Sequence, residues 1–516
     1  MYIINIFLTI ITYSIINLKS MHMLQQNRYN RGNKYNYWII QNFKKVFLNI
    51  SFCLIIATIA NNSITKYMYP ILLVSLIILN TQKKKEKLPL NVTSRIKRLM
   101  LTNLIFISLI ILLVPNNYTY LVSSILIYLN YIVIAIINYI NIPIEKYLGN
   151  KNKEKTIKRY KTFDNLITVG ITGSYGKTSS KNILNDILSV KYNTLPSPKN
   201  YNTPQGLMIT INDYLNKFTD VFIAEMGACK VGEIKELCDI VTPKYGILTK
   251  VGLAHLETFK TEENIQKTKF ELIESLPKDG LGILNGDDEK QLTYKLKNKV
   301  PVKFIGINNH DVDVYAKNIK LTKDGSTFDV VFKNKKTYKF QTKLLGKANI
   351  YNILAGITLG EHLGIEIEQL QKSVSRVKSV EHRLELKKYY NINLIDDAYN
   401  SNPDGFKMAV EVLKEMPGDR IIMTPGIIEL GQKDHEVHYE LGKIISKSVD
   451  KVILVGEKKT KSIYEGLIDN KFKKENIYII NDVMEGFELI KELKQKKDMF
   501  VLIENDLPDS FTEKGK

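Results

Sequence analysis

Two glycines, a lysine and a threonine fall together in the run Thr172-Gly173-Ser174-Tyr175-Gly176-Lys177-Thr178. A strand-like apolar stretch, 166–171, leads into it, and a helix-like stretch, 181–190, leads out. Backbone N–H groups of such a turn curl around phosphate, and the helix N-terminus adds partial positive charge. In that setting Lys177 reaches the β- and γ-phosphates of a nucleotide and the Thr178 hydroxyl faces Mg²⁺. The longer pattern G-x-x-x-x-G-K-[ST] needs glycine at 171, where the chain has Ile171. The tighter Thr-Gly-x-x-Gly-Lys-Thr form is present instead, and it predicts an ATP-binding loop.

Further polar residues stand at the ends of apolar runs. Glu225 closes Val-Phe-Ile-Ala-Glu, His255 follows Val-Gly-Leu-Ala, and Asn285-Gly286-Asp287-Asp288 closes the next run. In an α/β sheet these are the carboxyl ends where ligands gather. A carboxylate and an imidazole there suit Mg²⁺ beside the nucleotide.

The elements that must hold these residues follow from the alternation of runs. Strand-like stretches at 221–225, 245–250 and 282–285 are separated by helical patterns, which predicts a parallel α/β sheet. Residues 300–345 alternate with Gly and Asp-Gly turns, which predicts antiparallel strands appended to that sheet. A helix is expected over 349–363. Beyond a hinge at 380–383, strand-like runs at 394–396, 420–424, 451–455, 477–480 and 500–503 alternate with helices, which predicts a second, Rossmann-like sheet.

The first quarter of the chain differs. Five apolar runs occupy 2–18, 46–60, 67–79, 101–114 and 120–142. Each reads as a membrane helix, the shorter ones completed by flanking Asn and Thr to the ~20 residues that a bilayer needs. Lysines and arginines cluster between runs one and two, between three and four, and after five (Lys146 to Lys161), whereas 61–66 and 115–119 are nearly uncharged. Positive-inside bias then places the basic segments and everything after them in the cytoplasm. The first run lacks a basic n-region and a small-residue exit, so it reads as an uncleaved span. The basic segments suit anionic headgroups.

The formal charge of +20, from 73 Lys+Arg against 53 Asp+Glu, is thereby accounted for without a nucleic-acid partner. The three cysteines, Cys53, Cys229 and Cys238, show no disulfide framework, which suits a reducing compartment. The apolar runs hold few polar groups to line a path, so a transporter fits poorly. The expected organisation is a membrane region 1–145, a basic linker 146–163, a central ATP-binding domain 164–379 and a C-terminal domain 380–516.

The ordered motifs from 164 to 510 resemble the Mur ligase family, ATP-dependent enzymes that join amino acids to cell-wall precursors. After the phosphate loop come Asn200-Tyr201-Asn202-Thr203-Pro204-Gln205-Gly206, Glu225-Met226-Gly227, His255 with Glu257, and Lys269-Phe270-Glu271. Asn349 and Asn352, His382-Arg383, Asp396-Asp397-Ala398-Tyr399-Asn400-Ser401-Asn402-Pro403, and Glu429-Leu430-Gly431 with His438 follow. Two of these elements are most similar to the branch whose members add a dipeptide.

The resemblance implies nucleotide contacts from Thr172, Gly173, Ser174, Tyr175, Gly176, Lys177, Thr178, Asn349, Arg383 and Asp397. It implies Mg²⁺ on Thr178 and Glu225, and a second Mg²⁺ near His255 and Glu225. Lys269 matches a lysine that some members carry as a metal-binding carbamate. Asn200, Asn202, Thr203, Asn400 and Asn402 fall on the substrate side. Asp397 and His438 are candidates for the base that frees the attacking amine. The implied chemistry is acyl-phosphate formation from ATP followed by amine attack.

The chain departs from the family in four places. Membrane runs replace a soluble UDP-binding domain, and Glu504-Asn505-Asp506 replaces Lys-Gly-Ser. Ala348 stands where a histidine is usual, and Tyr175 where an asparagine is usual. The leading expectation is a Mur-type amide ligase acting on a small-molecule or lipid-linked precursor and an amino acid or dipeptide. A poly-γ-glutamate-type synthetase and a non-catalytic membrane scaffold are the alternatives. The scaffold predicts damage at Lys177, Thr178, Glu225 or His255, and all four are present.

Overall fold

The computed structural model describes residues 2–59, 63–81, 89–252, 256–322, 325–390, 392–398, 402–428, 430–493 and 498–505. The chain divides into two units, Met1–Asn152 and Lys153–Lys516.

The first unit is helical, with a core that includes Tyr13, Leu24, Tyr35, Leu73, Ile107 and Ile134. Its interior is more polar than the sequence suggests. The Tyr13 hydroxyl donates to Asn103 Oδ1 at 2.9 Å, and Ser20 pairs with Asn130. Arg98 forms a bidentate pair with Glu145 at 2.6 and 2.7 Å. Among the described residues, three helices are long and apolar enough to cross a membrane: Ile4–Gln26, Ser94–Leu113 and Asn130–Tyr160. The count is four if the pair Lys34–Gln41 and Phe43–Ile59, bent by 83°, is one span. The expected five runs are thus not five equal helices. The last is split at Leu129 between Thr119–Tyr128 and Asn130–Tyr160. The expected linker is also largely helix, because Lys and Glu are good helix formers and carry it on to Tyr160.

The second unit contains two sheets. The first comprises β1 (Ile167–Thr172), β2 (Thr194–Pro196), β3 (Val221–Glu225), β4 (Tyr245–Leu248), β5 (Leu281–Asn285), β6 (Val302–Gly306), β7 (Val314–Thr322), β8 (Gly325–Phe332) and β9 (Thr337–Thr342). Their order is β2-β3-β1-β4-β5-β6-β7-β8-β9. Both faces are covered, as parallel sheets require. Ile183 and Ile187 of helix Lys177–Leu188 pack with Ile353 and Ile357 of helix Lys347–His362 on one face. Leu237 of Glu233–Val241 and Phe270 of Glu262–Glu274 pack on the other.

The appended strands are not all antiparallel. β6 runs parallel to β5 and β7 parallel to β6, and only β8 reverses, lying antiparallel to both β7 and β9. The segment between β5 and β6 is long enough, with its short helix Glu289–Leu292, to return the chain to the same end. The four-residue turn Lys333–Lys336 is not.

The second sheet comprises β10 (Glu385–Tyr389), β11 (Ile392–Asp397), β12 (Asp419–Thr424), β13 (Lys451–Val455), β14 (Ile477–Ile480) and β15 (Met499–Glu504). Its order is β10-β11-β15-β12-β13-β14, parallel except for the edge strand β10. In the first sheet β1 lies between β3 and β4, so the chain changes direction at the carboxyl end of β1. Ligands bind at such a switch point.

Candidate active site

The β-branched run Ile-Thr-Val-Gly-Ile-Thr forms β1, and the loop at its end turns on two glycines. Gly173 has φ +154° and Gly176, which caps helix Lys177–Leu188, has φ +79°. A Cβ on Gly173 would stand 1.9 Å from Thr249 Oγ1. The loop is pinned from β4 and the segment after it. Thr249 Oγ1 donates to Tyr175 O at 2.6 Å, Ser174 N to Lys250 O at 2.7 Å, and Ser174 Oγ to Gly252 O at 2.8 Å. The Thr172 hydroxyl donates to Met226 O at 2.9 Å. Lys177 Nζ folds over this loop, donating to Gly173 O at 2.7 Å. Burial lowers the Lys177 ammonium's pKa, Glu225 opposes that, and Arg383 adds to it. Arg383, from the segment before β10, therefore acts on the phosphate loop of the other sheet.

Glu225, at the end of β3, is buried. Its Oε1 accepts from the Thr178 hydroxyl at 3.2 Å and from Asn202 Nδ2 at 3.0 Å. Its Oε2 receives no hydrogen bond, although the Lys181 ammonium lies 3.1 Å away. Lys181 Nζ donates instead to Ser197 O and Lys199 O at 2.8 and 2.6 Å. A buried carboxylate oxygen without a donor, next to a threonine hydroxyl at a helix N-terminus, fits a divalent cation. Lys269, on helix Glu262–Glu274, is buried, and its amine is pushed down to about 7 by burial and by neighbouring Lys177. Its ammonium end lies over the Phe259 ring at 5.9 Å. His255, the side chain of Glu257, Glu429 and Asn400 lie outside the described residues. Among the described residues no three His, Cys, Asp or Glu side chains gather for a metal.

Several expected substrate or nucleotide residues have other work. Asn202 holds Glu225 rather than facing outward. Thr203 Oγ1 caps helix Pro204–Ile209, accepting from Gly206 N at 3.2 Å. Asn402 Oδ1 caps helix Pro403–Glu415, accepting from Gly405 N at 3.0 Å. Asn200 is exposed. The Asn349 amide donates to Leu345 O at 2.9 Å. It is Asn352, one turn on, that comes within 3.8 Å of the space beside Gly176. Short polar side chains at element starts compete for backbone N–H groups before they can serve a ligand.

His438 is buried, and its Nε2 accepts from Ile427 N at 2.9 Å. That bond leaves the proton on Nδ1, which faces Asp434 Oδ2 at 3.3 Å. With its lone pair taken, His438 positions the turn at Gly426 and Ile427 and is not a free base. Asp396 and Asp397 point apart. Asp396 Oδ2 binds His382 and Lys387 at 2.8 and 2.9 Å. Asp397 Oδ1 accepts from Leu384 N at 3.2 Å, and burial pushes its carboxyl up to about 6 against the pull of Arg383.

Lys181 and Thr249 carry much of this site and were not singled out by motif. Lys181 had one signal: a lysine in the apolar stripe of Ile183, Leu184, Ile187 and Leu188. Thr249 had none.

Two mostly parallel α/β sheets, the first with a phosphate loop at the end of β1 and a buried carboxylate beside its threonine, define a nucleotide-dependent two-domain α/β enzyme. The Mur ligase middle domain matches residues 171–360, and the Mur ligase glutamate ligase domain matches residues 382–503. A UDP-N-acetylmuramoyl-tripeptide–D-alanyl-D-alanine ligase of Rickettsia prowazekii is 30% identical over 334 residues, 62% of this chain and 74% of the relative. The enzyme of that name in Bacillus subtilis is 29% identical over 339 residues, 64% and 72% of the two chains. The crystal structure of MurF from Acinetobacter baumannii has a TM-score of 0.63 at 23% identity, covering 69% of this chain and 77% of that one. MurF from Thermotoga maritima in complex with ADP has a TM-score of 0.62 at 24% identity, covering 69% and 80%. These structures establish the fold. The chain belongs to the Mur ligase family, and is an ATP-dependent ligase that forms amide bonds.

Proposed function

We propose that this chain adds D-alanyl-D-alanine to a muramoyl-peptide precursor of the cell wall, with its first unit in the membrane and its ligase unit in the cytoplasm. The observation that carries the reading is the convergence of Thr178 and Lys181 on Glu225 beneath the Gly173–Lys177 loop, in a chain whose relatives named above carry that activity in their names. The loop amides and Lys177 bind and orient the γ-phosphate for attack by the precursor carboxylate. Arg383 approaches from the second domain, so closure of the two domains excludes water as it completes the phosphate site. Thr178, Glu225, His255 and a carbamate on Lys269 would hold Mg²⁺, which neutralises charge on the phosphates. The near-neutral amine of Lys269 suits carbamate formation, since only a neutral amine adds CO₂.

A second reading is favoured by the apolar helices that stand before the matched region. In it the acceptor is the lipid-linked form of the precursor rather than the soluble nucleotide. The test is phosphate release by the detergent-solubilised full chain with ATP, Mg²⁺ and D-Ala-D-Ala, given either UDP-MurNAc-tripeptide or its lipid-linked counterpart, with glutamate as a third substrate. Release with the soluble precursor supports the first reading, and release only with the lipid-linked one supports the second. Release with glutamate alone would sink both in favour of a polyglutamate synthetase. Lys177→Ala should abolish release while leaving membrane insertion intact.

A further inference from the structure

Arg95 is the second residue of the helix Ser94–Leu113, at the end that the positive-inside bias assigns to the cytoplasm. Its guanidinium carbon lies over the Tyr29 ring, 3.9 Å from the centroid, so cation and ring are stacked. One terminal nitrogen donates to Asn138 Oδ1 at 3.3 Å, and Asn138 is itself buried. The Asn138 amide donates to Tyr29 O at 3.3 Å, and Gln25 Nε2 donates to the Tyr29 hydroxyl at 3.2 Å. Ring and guanidinium are thus held in place by groups of this chain alone. Arg28, Tyr29 and Asn30 have φ of +54°, +54° and +64°. Such a left-handed run of non-glycine residues costs free energy, and here it sets the ring against the cation. Arg98, one turn on, is neutralised by its bidentate pair with Glu145. Arg95 forms no ion pair among the described residues, and Asn138 Oδ1 is the one acceptor that its guanidinium has there. Most of its N–H donors therefore stay available.

We propose that Arg95 binds the phosphate of a lipid headgroup at the cytoplasmic face of the membrane, with Tyr29 and Asn138 as the residues that position it. The inference rests on the membrane reading of the first unit and goes beyond it. Arg95 is half-buried, and a half-buried cation with only neutral partners gains most from an arriving anion. At a membrane surface that anion is phosphate. The planar fork of arginine matches two oxygens of one phosphate, which a lysine ammonium does not. The Tyr29 ring covers one face of the guanidinium, so the phosphate approaches in its plane, along the edge that Asn138 leaves open. The ligand class is a phosphodiester or diphosphate whose apolar chain stays in the bilayer. Its source is an ordinary anionic lipid or the carrier of a lipid-linked precursor. A carrier bound here keeps its headgroup on the cytoplasmic side.

The experiment counts lipids bound to the full chain by native mass spectrometry in an uncharged maltoside detergent. The probes are phosphatidylglycerol, a polyprenyl diphosphate, the unphosphorylated polyprenol and a fatty acid. Binding of phosphatidylglycerol, with or without the diphosphate, supports the site with a bilayer lipid as its source. Binding of the diphosphate alone supports it with a carrier as the source. Arg95→Gln should weaken binding of the phosphate lipid by at least about tenfold. Arg95→Lys keeps the charge but not the fork, and should weaken it by about threefold or more. Lys97→Gln removes an exposed charge two residues away and should stay within about twofold. Equal weakening by Arg95→Gln and Lys97→Gln, or unchanged binding in either Arg95 variant, would overturn the proposal. So would polyprenol or fatty acid binding as tightly as the phosphate lipids. A chain recovered in the membrane fraction that binds no phosphate lipid would refute this inference alone. Recovery from the soluble fraction without detergent would refute the membrane reading, and this inference with it.

Discussion

The Lys181 ammonium lies 3.1 Å from Glu225 Oε2, both side chains being almost fully buried beneath the phosphate loop. Lys181 also ties the Ser197 and Lys199 carbonyls, so one cation sets the carboxylate and the segment after β2 together. Removing it leaves a buried charge with only neutral donors. Lys181→Met should therefore destabilise the ligase unit by about 3 kcal/mol or more in denaturant unfolding. Lys181→Met combined with Glu225→Gln should cost less than the two single changes summed. An additive double variant would mean that the pair is not coupled.

Gly173→Ala tests the loop itself. The new Cβ would meet Thr249 Oγ1, which cannot retreat without giving up Tyr175 O, and the Lys250 backbone at 3.1 Å. The positive φ adds strain. Nucleotide affinity, read by titration with a fluorescent ADP, should fall at least 10-fold. Unchanged affinity would mean that the loop is looser than its contacts indicate.

Lys269 predicts a pH dependence of stability. Its amine is near 7 when folded and near its ordinary value of 10.5 when unfolded. Between those values the unfolded chain holds the extra proton, so stability contributed at this site rises with pH and the penalty is full below 7. In CO₂-free buffer, Lys269→Met should therefore be more stable than the unsubstituted protein at pH 6.5, by a few kcal/mol, and the gap should close toward pH 10. A gap independent of pH would show that Lys269 is charged in the fold.

His438 separates a positioning role from a base. A general base contributes about 10²–10⁴-fold. Because Nε2 is engaged with Ile427 N, His438→Gln, whose amide oxygen can accept the same bond, should keep ligation within about fivefold and leave the pH profile in place. A hundredfold loss with a shifted profile would return His438 to the chemistry.

Much of the architecture could be read from the chain. β3, β13 and β14 occupy the predicted residues, and the phosphate loop sits between β1 and its helix as the Gly-Lys-Thr pattern requires. Short continuous apolar runs bounded by turn residues are local signals, and local signals survive into the fold. The direction of β6 and β7 was not legible, because parallel and antiparallel strands share one pattern and differ only in how the connection returns. Nor were the caps, since Thr203 and Asn402 look alike whether they bind a ligand or a backbone N–H.

The available chemistry can be read along the chain: a phosphate loop, a carboxylate at the end of a strand, and two alternating α/β segments behind apolar runs. Each of these depends on residues close together in the chain. Which side chains share that chemistry depends on how distant segments pack. Lys181 reaches Glu225 across 44 residues, Arg383 acts on Lys177 from the other sheet, and Glu504 meets Asp397 through strand register. Those pairings come from packing and register, which no local pattern encodes.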